Sequence, residues 1–268
     1  MADSTHVRSS FPVTFAARDP MIEAYRALDD YASLARPGGP SSALRRAPPH
    51  TSFLDDLSRA DALCAALLDD DLGVVRRLLL PGLDRGWQPD MLAEQVVPAA
   101  ALRLGEWWLE SRASFAEVAV GCARLHEMLR VLHEQADRWH PPPAAQGDVL
   151  LLTPETDHHS LAASIVAYRF HRLGARVRLI AGMSPRQVVP LLQGRDYAAV
   201  AISVGCRQSL LQSRALISMI RSAVTRPVRV VIGGPVLDLD MEMVRKTGAD
   251  FATNDIAAAL DFCGISTK

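Results

Sequence analysis

The feature that most constrains the fold is a change of pattern near residue 147. After Gly147, short apolar runs alternate with stretches of helical periodicity. Strands that alternate with helices in this way indicate βαβ units, so we predict an α/β fold with a doubly wound, flavodoxin-like parallel sheet. The five predicted strands are Val149–Leu152, Val177–Ala181, Ala199–Ser203, Val228–Ile232 and Phe251–Ala252. The predicted helices are Leu161–Leu173, Pro185–Leu192, Leu210–Ala223, Leu239–Thr247 and Ile256–Cys263.

The residues before this change predict an all-α cap domain at 53–140, followed by the α/β domain at 147–268. Pro81-Gly82 is expected to end the second helix, and Pro98 is expected to kink the third. The motif Ser114-Phe115-Ala116-Glu117 is a capping box that starts the fourth helix, and Pro141-Pro142-Pro143 follows its end. Apolar residues at helical spacing place the four helices of the bundle at about 54–67, 71–80, 89–108 and 115–139.

The segment 1–52 predicts a flexible arm or linker. Pro37–Ser42 and Arg45–Pro49 have linker-like composition. A short helix over Pro20–Leu28 is the ordered alternative, in which the arm folds against a ligand or a partner.

Composition excludes several classes of protein. The chain has 268 residues, of which 49% are hydrophobic, and a net charge of −1, so nothing indicates a non-specific nucleic-acid or membrane binder. No apolar run reaches the roughly 20 residues of a membrane span, and the N-terminus shows no secretory signal. The four cysteines form no CxxC pair, which favours reduced thiols in a cytoplasmic protein.

The loop after the first predicted strand carries the candidate chemistry. Open α/β sheets bind ligands at the carboxyl ends of their strands, and the stretch Thr153–Ala162 lies there without any glycine. His159 is the predicted metal ligand through one ring nitrogen, with Asp157 accepting from the other. Ser203 could extend this relay by a hydrogen bond to Asp157. The alternative is an ordinary surface histidine, and His158 leaves the register open.

Two further features add to this candidate site. Gly233-Gly234-Pro235 follows the fourth strand and allows a flat ligand to approach the backbone, although a tight βα turn would have the same sequence. Trp107 and Trp108 point about 100° apart on a helix. One can therefore lie in the core while the other faces the α/β domain, or both can be core residues. Glu117 is explained by the capping box, so no catalytic residue is assigned.

Together these features resemble the cobalamin-binding module of methionine synthase, corrinoid carriers and cobalamin photoreceptors, which joins a four-helix cap to a flavodoxin-like domain. The family motif Asp-x-His-x-x-Gly reads here Asp157-His158-His159-Ser160-Leu161-Ala162, with alanine in place of the glycine. The resemblance implies that His159 binds cobalt. It also implies that the benzimidazole tail of the cofactor lies beside the sheet, between Ser203-Val204-Gly205 and Gly233-Gly234-Pro235.

The cap is similar to that of the PpaA/AerR antirepressors, through Leu104-Gly105-Glu106-Trp107-Trp108 and the run from Ser114 to Leu125. Repressors of the CarH type carry Glu-His about ten residues beyond the cap tryptophan, where this chain has Val118-Ala119. No helix-turn-helix domain precedes the bundle. The resemblance therefore implies a regulator that binds a PpsR/CrtJ-like transcriptional repressor, without sequence-specific DNA binding or membrane association of its own.

Other functions share this fold. The same site would serve a corrinoid carrier of a methyltransferase system, and Ala162 leaves room for a haem-binding redox sensor. A scaffold that binds no cofactor is a fourth possibility. The hydroxo and adenosyl forms of cobalamin both remain open, as do His6 and His126 as upper ligands of the metal.

Overall fold

The computed structural model describes residues 24, 26, 28, 57–157, 160–193, 195–224, 226–239 and 241–265. Within them a set of helices precedes a five-stranded parallel sheet, which confirms the predicted fold class. Among the described residues no helix is long and apolar enough to cross a membrane.

The cap contains four main helical segments around one apolar core. They are α1 (Leu57–Leu67), α2 (Val74–Asp84), α3 and α4 (Phe115–Trp139). α3 consists of Pro89–Met91, a π-helical turn Leu92–Val96 and the α-helical stretch Val97–Leu109.

α2 continues through the proline that was expected to end it. Pro81 lies inside the helix, so the prediction of a break at Pro81-Gly82 was wrong. A Cβ atom at Gly82 would overlap the ring of Trp87, which is fully buried. The close packing of Trp87 on Gly82 stabilises this last turn, although Pro81 has no backbone N–H to donate to the ladder.

A π-helical turn lies just before Pro98, where the sequence predicted a kink, and the predicted start of α4 at Ser114 is confirmed. Pro98 cannot donate a backbone hydrogen bond, and the turn before it is π-helical, with the Val97 N–H donating to the carbonyl of Leu92. At α4 the Ser114 hydroxyl accepts from the Glu117 N–H at 3.2 Å, and the Glu117 carboxylate accepts from the Ser114 N–H at 2.7 Å.

The sheet has the strand order β2-β1-β3-β4-β5 and only parallel pairs. Its strands are β1 (Gly147–Pro154), β2 (Ala175–Met183), β3 (Ala199–Ser203), β4 (Arg229–Gly233) and β5 (Phe251–Ala252). The helices are α5 (Ser160–Arg172), α6 (Val188–Leu192) after a 3₁₀ turn Pro185–Gln187, α7 (Gln208–Ala223), α8 (Val236–Leu239), α9 (Met241–Arg245) and α10 (Ile256–Phe262). The helix predicted at Leu239–Thr247 is present in part: the described helical residues begin earlier, at Val236, and end at Arg245, and Asp240 lies outside the described residues.

The two faces of the sheet are both covered, as in other parallel sheets. Leu150 and Leu152 of β1 pack on one face with α7, whereas Val149 and Leu151 pack on the other with α5 and α10. The alternation follows from the two-residue period of a strand. It leaves the loops at the carboxyl edge as the part of the domain available to a ligand.

The cap and the sheet domain share one core through α5. Tyr168 belongs to the buried cluster of the cap, and Leu161 and Ile165 pack against it. Ala24 and Leu28 of the predicted arm are helical and buried in the same cluster, so part of that segment belongs to the cap. Apart from the exposed Arg26, the rest of residues 1–52 lies outside the described residues.

Candidate functional site

The loops after β1, β3 and β4 meet at the carboxyl edge because these strands are neighbours in the sheet. The N–H of Val204 donates to the carbonyl of Gly233 at 2.9 Å, and the N–H of Val236 donates back to the carbonyl of Val204 at 3.3 Å. The two loops that were predicted to form the walls of the site, at 203–205 and 233–235, are therefore joined directly.

Asp157 is buried at the centre of this edge, with 4% of its surface exposed. Its Oδ2 atom accepts from the backbone N–H of Gly205, and its own N–H donates to the carbonyl of Pro154 at 2.9 Å. This partner differs from the Ser203 hydroxyl that the sequence predicted. The contact ties the β1 loop to the β3 loop and orients the carboxylate. His158 and His159 lie outside the described residues, so cobalt coordination by His159 stays a prediction.

Thr156, Ser209 and Gln212 strengthen the same edge and were missed by sequence reasoning. The hydroxyls of Thr156 and Ser209 lie 3.1 Å apart, and Gln212 Oε1 accepts from the Thr156 N–H at 3.0 Å. Ser209 and Gln212 are on the first turns of α7. The signal in the sequence was weak, since polar residues at a helix start are common.

The glycines after β4 allow a close approach of two backbones. Gly234 has a φ of +113°, and a Cβ atom there would overlap the carbonyl of Val204. A Cβ at Gly233 would lie 2.7 Å from the carbonyl oxygen of Thr253. Asn254 Oδ1 accepts from the N–H of Gly234 at 2.7 Å and holds the turn. Glycine is therefore required here by the protein itself, as well as being suited to a flat ligand.

An apolar groove runs from this edge between α5, α10 and the sheet. Small residues, among them Ala201, Ser203 and Gly234, form much of its lining, together with Phe170 and Val231. Its cavity of about 40 Å³ is far smaller than the roughly 300–1,000 Å³ of ligand pockets, so an aromatic ring entering it has to separate α5 from α10. Its apolar walls and short side chains suit the planar tail of a tetrapyrrole cofactor. Val204 is buried behind the groove, whereas Pro235 is exposed.

The two cap tryptophans have different environments. Trp107 is 6% exposed, its indole N–H donates to Asp61 at 2.9 Å, and the Arg112 guanidinium lies 4.4 Å from its ring centre. Trp108 is 52% exposed. Trp107 is thus part of the cap core, and Trp108 is the tryptophan with a free face for a ligand.

The end of the Asp-x-His motif leads directly into the contact between cap and sheet domain. Ser160 Oγ lies 3.2 Å from His126 Nε2 of α4, and Leu161 packs on the cap core. Ala162 is exposed, so its methyl group is free of close packing within the protein.

His126 is the one upper-ligand candidate that the structure describes. Burial lowers the pKa of its imidazole, which keeps the ring neutral near pH 7 and able to bind a metal. Its Nδ1 atom is buried and has no hydrogen-bond partner among the described residues. His6 lies outside those residues.

The chain is similar in sequence to known proteins. Residues 147–260 match the family model of the B12 binding domain. A protein of Rhodobacter capsulatus, described as an uncharacterized 20.5 kDa protein in the bchF-crtJ intergenic region, is 30% identical over 169 residues, which are 63% of this chain and 88% of that protein.

One solved structure is similar in fold, and a second gives a lower score. The monomethylamine corrinoid protein of Methanosarcina barkeri superposes with a TM-score of 0.57 at 15% identity, covering 75% of this chain and 94% of that one. A cobalamin-binding protein of Desulfitobacterium hafniense DCB-2 gives a TM-score of 0.40 at 17% identity, covering 76% of this chain and 97% of that one.

A helical cap on a flavodoxin-like sheet, with a buried aspartate and a glycine-lined apolar groove at one edge, defines a cobalamin-binding protein. The Rhodobacter relative, 30% identical over 88% of its length, shows the family, and the match of the B12 binding domain agrees with it. The chain belongs to the cobalamin-binding PpaA/AerR-type family.

Proposed function

We propose that this protein is a cytoplasmic cobalamin-dependent regulator without turnover, which senses light or cofactor state and changes the DNA binding of a PpsR/CrtJ-like repressor of photosynthesis or tetrapyrrole genes. The observation that supports it is the Rhodobacter relative, whose place beside crtJ agrees with the repressor that the resemblance implies. In this proposal bound cobalamin would supply a cobalt ion whose ligands can exchange.

The chain's own residues would hold the cofactor from both sides. His159 would bind the metal from below, and Asp157, fixed by the Gly205 N–H, would orient that imidazole. The groove at Ser203, Gly233 and Gly234 would receive the tail. The exposed face of Trp108 is the candidate contact on the cap side.

The structure also supports a way to transmit the state of the cofactor. α5 begins at Ser160, within the motif, and lies against the cap. Arg169 pairs with Glu94 at 3.3 Å, and Arg172 pairs with Asp90 at 3.1 Å. A shift of the loop would therefore move α5 against α3 and α4, and so change the surface that the cap offers to a repressor.

The same contacts favour a regulator over a corrinoid carrier. A carrier has to move its cap aside to present cobalt to a methyltransferase. Here Arg172 also donates to the carbonyl of His140 at 2.6 Å, and the Tyr168 hydroxyl donates to Asp90. Opening the cap would break these contacts and expose the shared core.

The first experiment is separate incubation with hydroxocobalamin, adenosylcobalamin and haem, followed by gel filtration and absorption spectroscopy. We expect a cobalamin spectrum at about one cofactor per chain and a changed spectrum for His159→Ala. A bound haem, seen as a Soret band, would reject cobalamin as the cofactor, and a colourless protein would reject both.

The second experiment tests regulation. Operator DNA, a PpsR/CrtJ-type repressor and the protein are combined in a mobility-shift assay, in the dark and after illumination. We expect cobalamin-loaded protein to change repressor occupancy severalfold, and His159→Ala to have no effect. Bound cobalamin without any effect on the repressor would favour the carrier.

A further inference from the structure

We propose that His133, Asp137 and His171 form a binding site for a divalent transition-metal ion of the Zn²⁺ class, separate from the cobalamin site. His133 and Asp137 are four residues apart on α4, so they lie on one face of that helix. His171 is in the last turn of α5. The site therefore joins the cap to the sheet domain.

The three ligand atoms converge closely enough for one ion. Asp137 Oδ2 lies 3.4 Å from His133 Nε2 and 2.9 Å from His171 Nε2, and all ligand atoms of the group lie within 4.8 Å of one another. Tetrahedral zinc with bonds of about 2.0–2.1 Å requires ligand atoms roughly 3.3 Å apart. Small side-chain rotations are enough to reach that spacing.

The two oxygens of the Asp137 carboxylate make different contacts. Its Oδ1 atom lies 3.4 Å from Arg172 Nη1 and 3.1 Å from His171 Nε2, whereas Oδ2 is the oxygen that lies near both imidazoles. Arg172 is itself held by Asp90 and by the carbonyl of His140, so its charge is shared with a second carboxylate. Arg172 can therefore orient Asp137 for a metal without occupying the oxygen that would bind it.

The surroundings leave space for a further ligand. His133 and His171 line a cavity of about 300 Å³ between α4, α5 and β2. Tyr168 and His126 also line this cavity. His133, Asp137 and His171 are all half-buried, so an ion has access from solvent. Two imidazoles and one carboxylate with an open position favour Zn²⁺ or Ni²⁺ over Mg²⁺ and Ca²⁺, which prefer oxygen ligands.

Binding of an ion would restrict movement of the cap relative to the sheet domain. An ion at this site adds a cross-link at the C-terminal ends of α4 and α5, while the cobalamin loop lies at the other end of α5. Zn²⁺ would hold the cap against the sheet domain.

The test is a Zn²⁺ titration of cobalamin-free, chelator-treated protein with a chromophoric zinc indicator as competitor. We expect about one Zn²⁺ per chain and an increase in melting temperature. His133→Gln and His171→Gln should each weaken binding at least tenfold. His140→Gln, an exposed histidine at the end of α4, should leave it unchanged. Circular dichroism establishes that each variant is folded.

Two measurements separate this site from the cobalamin site. His159→Ala should retain the zinc site, and His133→Gln should retain its cobalamin spectrum. Zinc binding that survives in both folded His133→Gln and His171→Gln would overturn the proposal, as would the absence of any binding to the original chain.

Discussion

Asp61 shows how one side chain can fix the helical turn that carries a candidate ligand contact. It accepts from Arg103 Nε at 2.5 Å and from the Trp107 indole at 2.9 Å. Burial raises the pKa of this carboxyl group, but the hydrogen bonds from Arg103 and Trp107 outweigh burial, and the pKa is lowered. Asp61 thereby orients the turn of α3 that carries Trp108.

We therefore expect Asp61→Asn to lower the free energy of unfolding by about 1–2 kcal/mol at pH 7, after allowance for partial exposure. A lowered pKa in the folded state stabilises the protein above the unfolded value of about 3.9, and this contribution disappears as the pH falls through the folded value. Urea unfolding from pH 7 to pH 3 should show the difference shrinking. Exposed Asp70→Asn serves as the control, and an equal effect of both variants would contradict the assignment.

Ala162 is the residue at which this chain departs from its family motif. Its methyl group is exposed at the start of α5, so it is free to contact a bound cofactor. Ala162→Gly should increase cobalamin affinity severalfold and cost up to about 1 kcal/mol of stability. Absorption titrations measure the first effect and urea unfolding the second. Ala167→Gly, further along α5, should lose stability without any gain in affinity, and unchanged affinity of Ala162→Gly would show that the methyl group is tolerated.

The turn after β4 is the element on which the groove depends most. Gly234 combines a φ of +113° with contact on the Val204 carbonyl, whereas Gly182 has a φ of +70° and nothing near its Cβ position. Alanine substitutions at these two glycines therefore distinguish the cost of backbone strain from the cost of a steric clash.

Gly182→Ala should cost about 1 kcal/mol, from strain alone. Gly234→Ala should cost more, about 2–4 kcal/mol, and should weaken cobalamin binding, because the β4 loop has to move away from the β3 loop. Thermal unfolding and absorption titrations would measure both effects. Equal losses in the two variants would show that the contact between the loops does not matter.

At the scale of the whole molecule, the junction between α5 and the cap determines whether the protein acts as one body. Burial and the hydrogen bond to Asp90 both raise the pKa of Tyr168, so its hydroxyl remains a donor across the neutral range. In contrast, the buried hydroxyl of Tyr197 has no hydrogen-bond partner among the described residues.

Tyr168→Phe should therefore lower the free energy of unfolding by about 1–3 kcal/mol, because it leaves Asp90 without this donor. Tyr197→Phe should be neutral or stabilising, since it removes an unsatisfied polar group. Chemical denaturation compares the two, and limited proteolysis of Tyr168→Phe should show faster cleavage between cap and sheet domain. A neutral Tyr168→Phe would mean that the shared apolar core alone holds the junction.

The sequence by itself determined the order of the elements and the edge of the sheet at which a ligand is predicted to bind. Apolar periodicity switches at Gly147, and local signals such as the Ser114–Glu117 capping box act over three residues, so neither needs the fold to be known. Two further signals are local in the sequence and predicted the cofactor site. They are the spacing of Asp157 and His159 and the pair Gly233-Gly234.

Only the tertiary structure decided which distant groups meet. It extended α2 through Pro81, because Trp87 packs on Gly82, and gave Asp157 the Gly205 N–H as a partner. It also assigned Trp107 to the core and brought His133 and His171 together from separate helices. These outcomes depend on burial and on packing between residues far apart in the chain, which local periodicity does not encode.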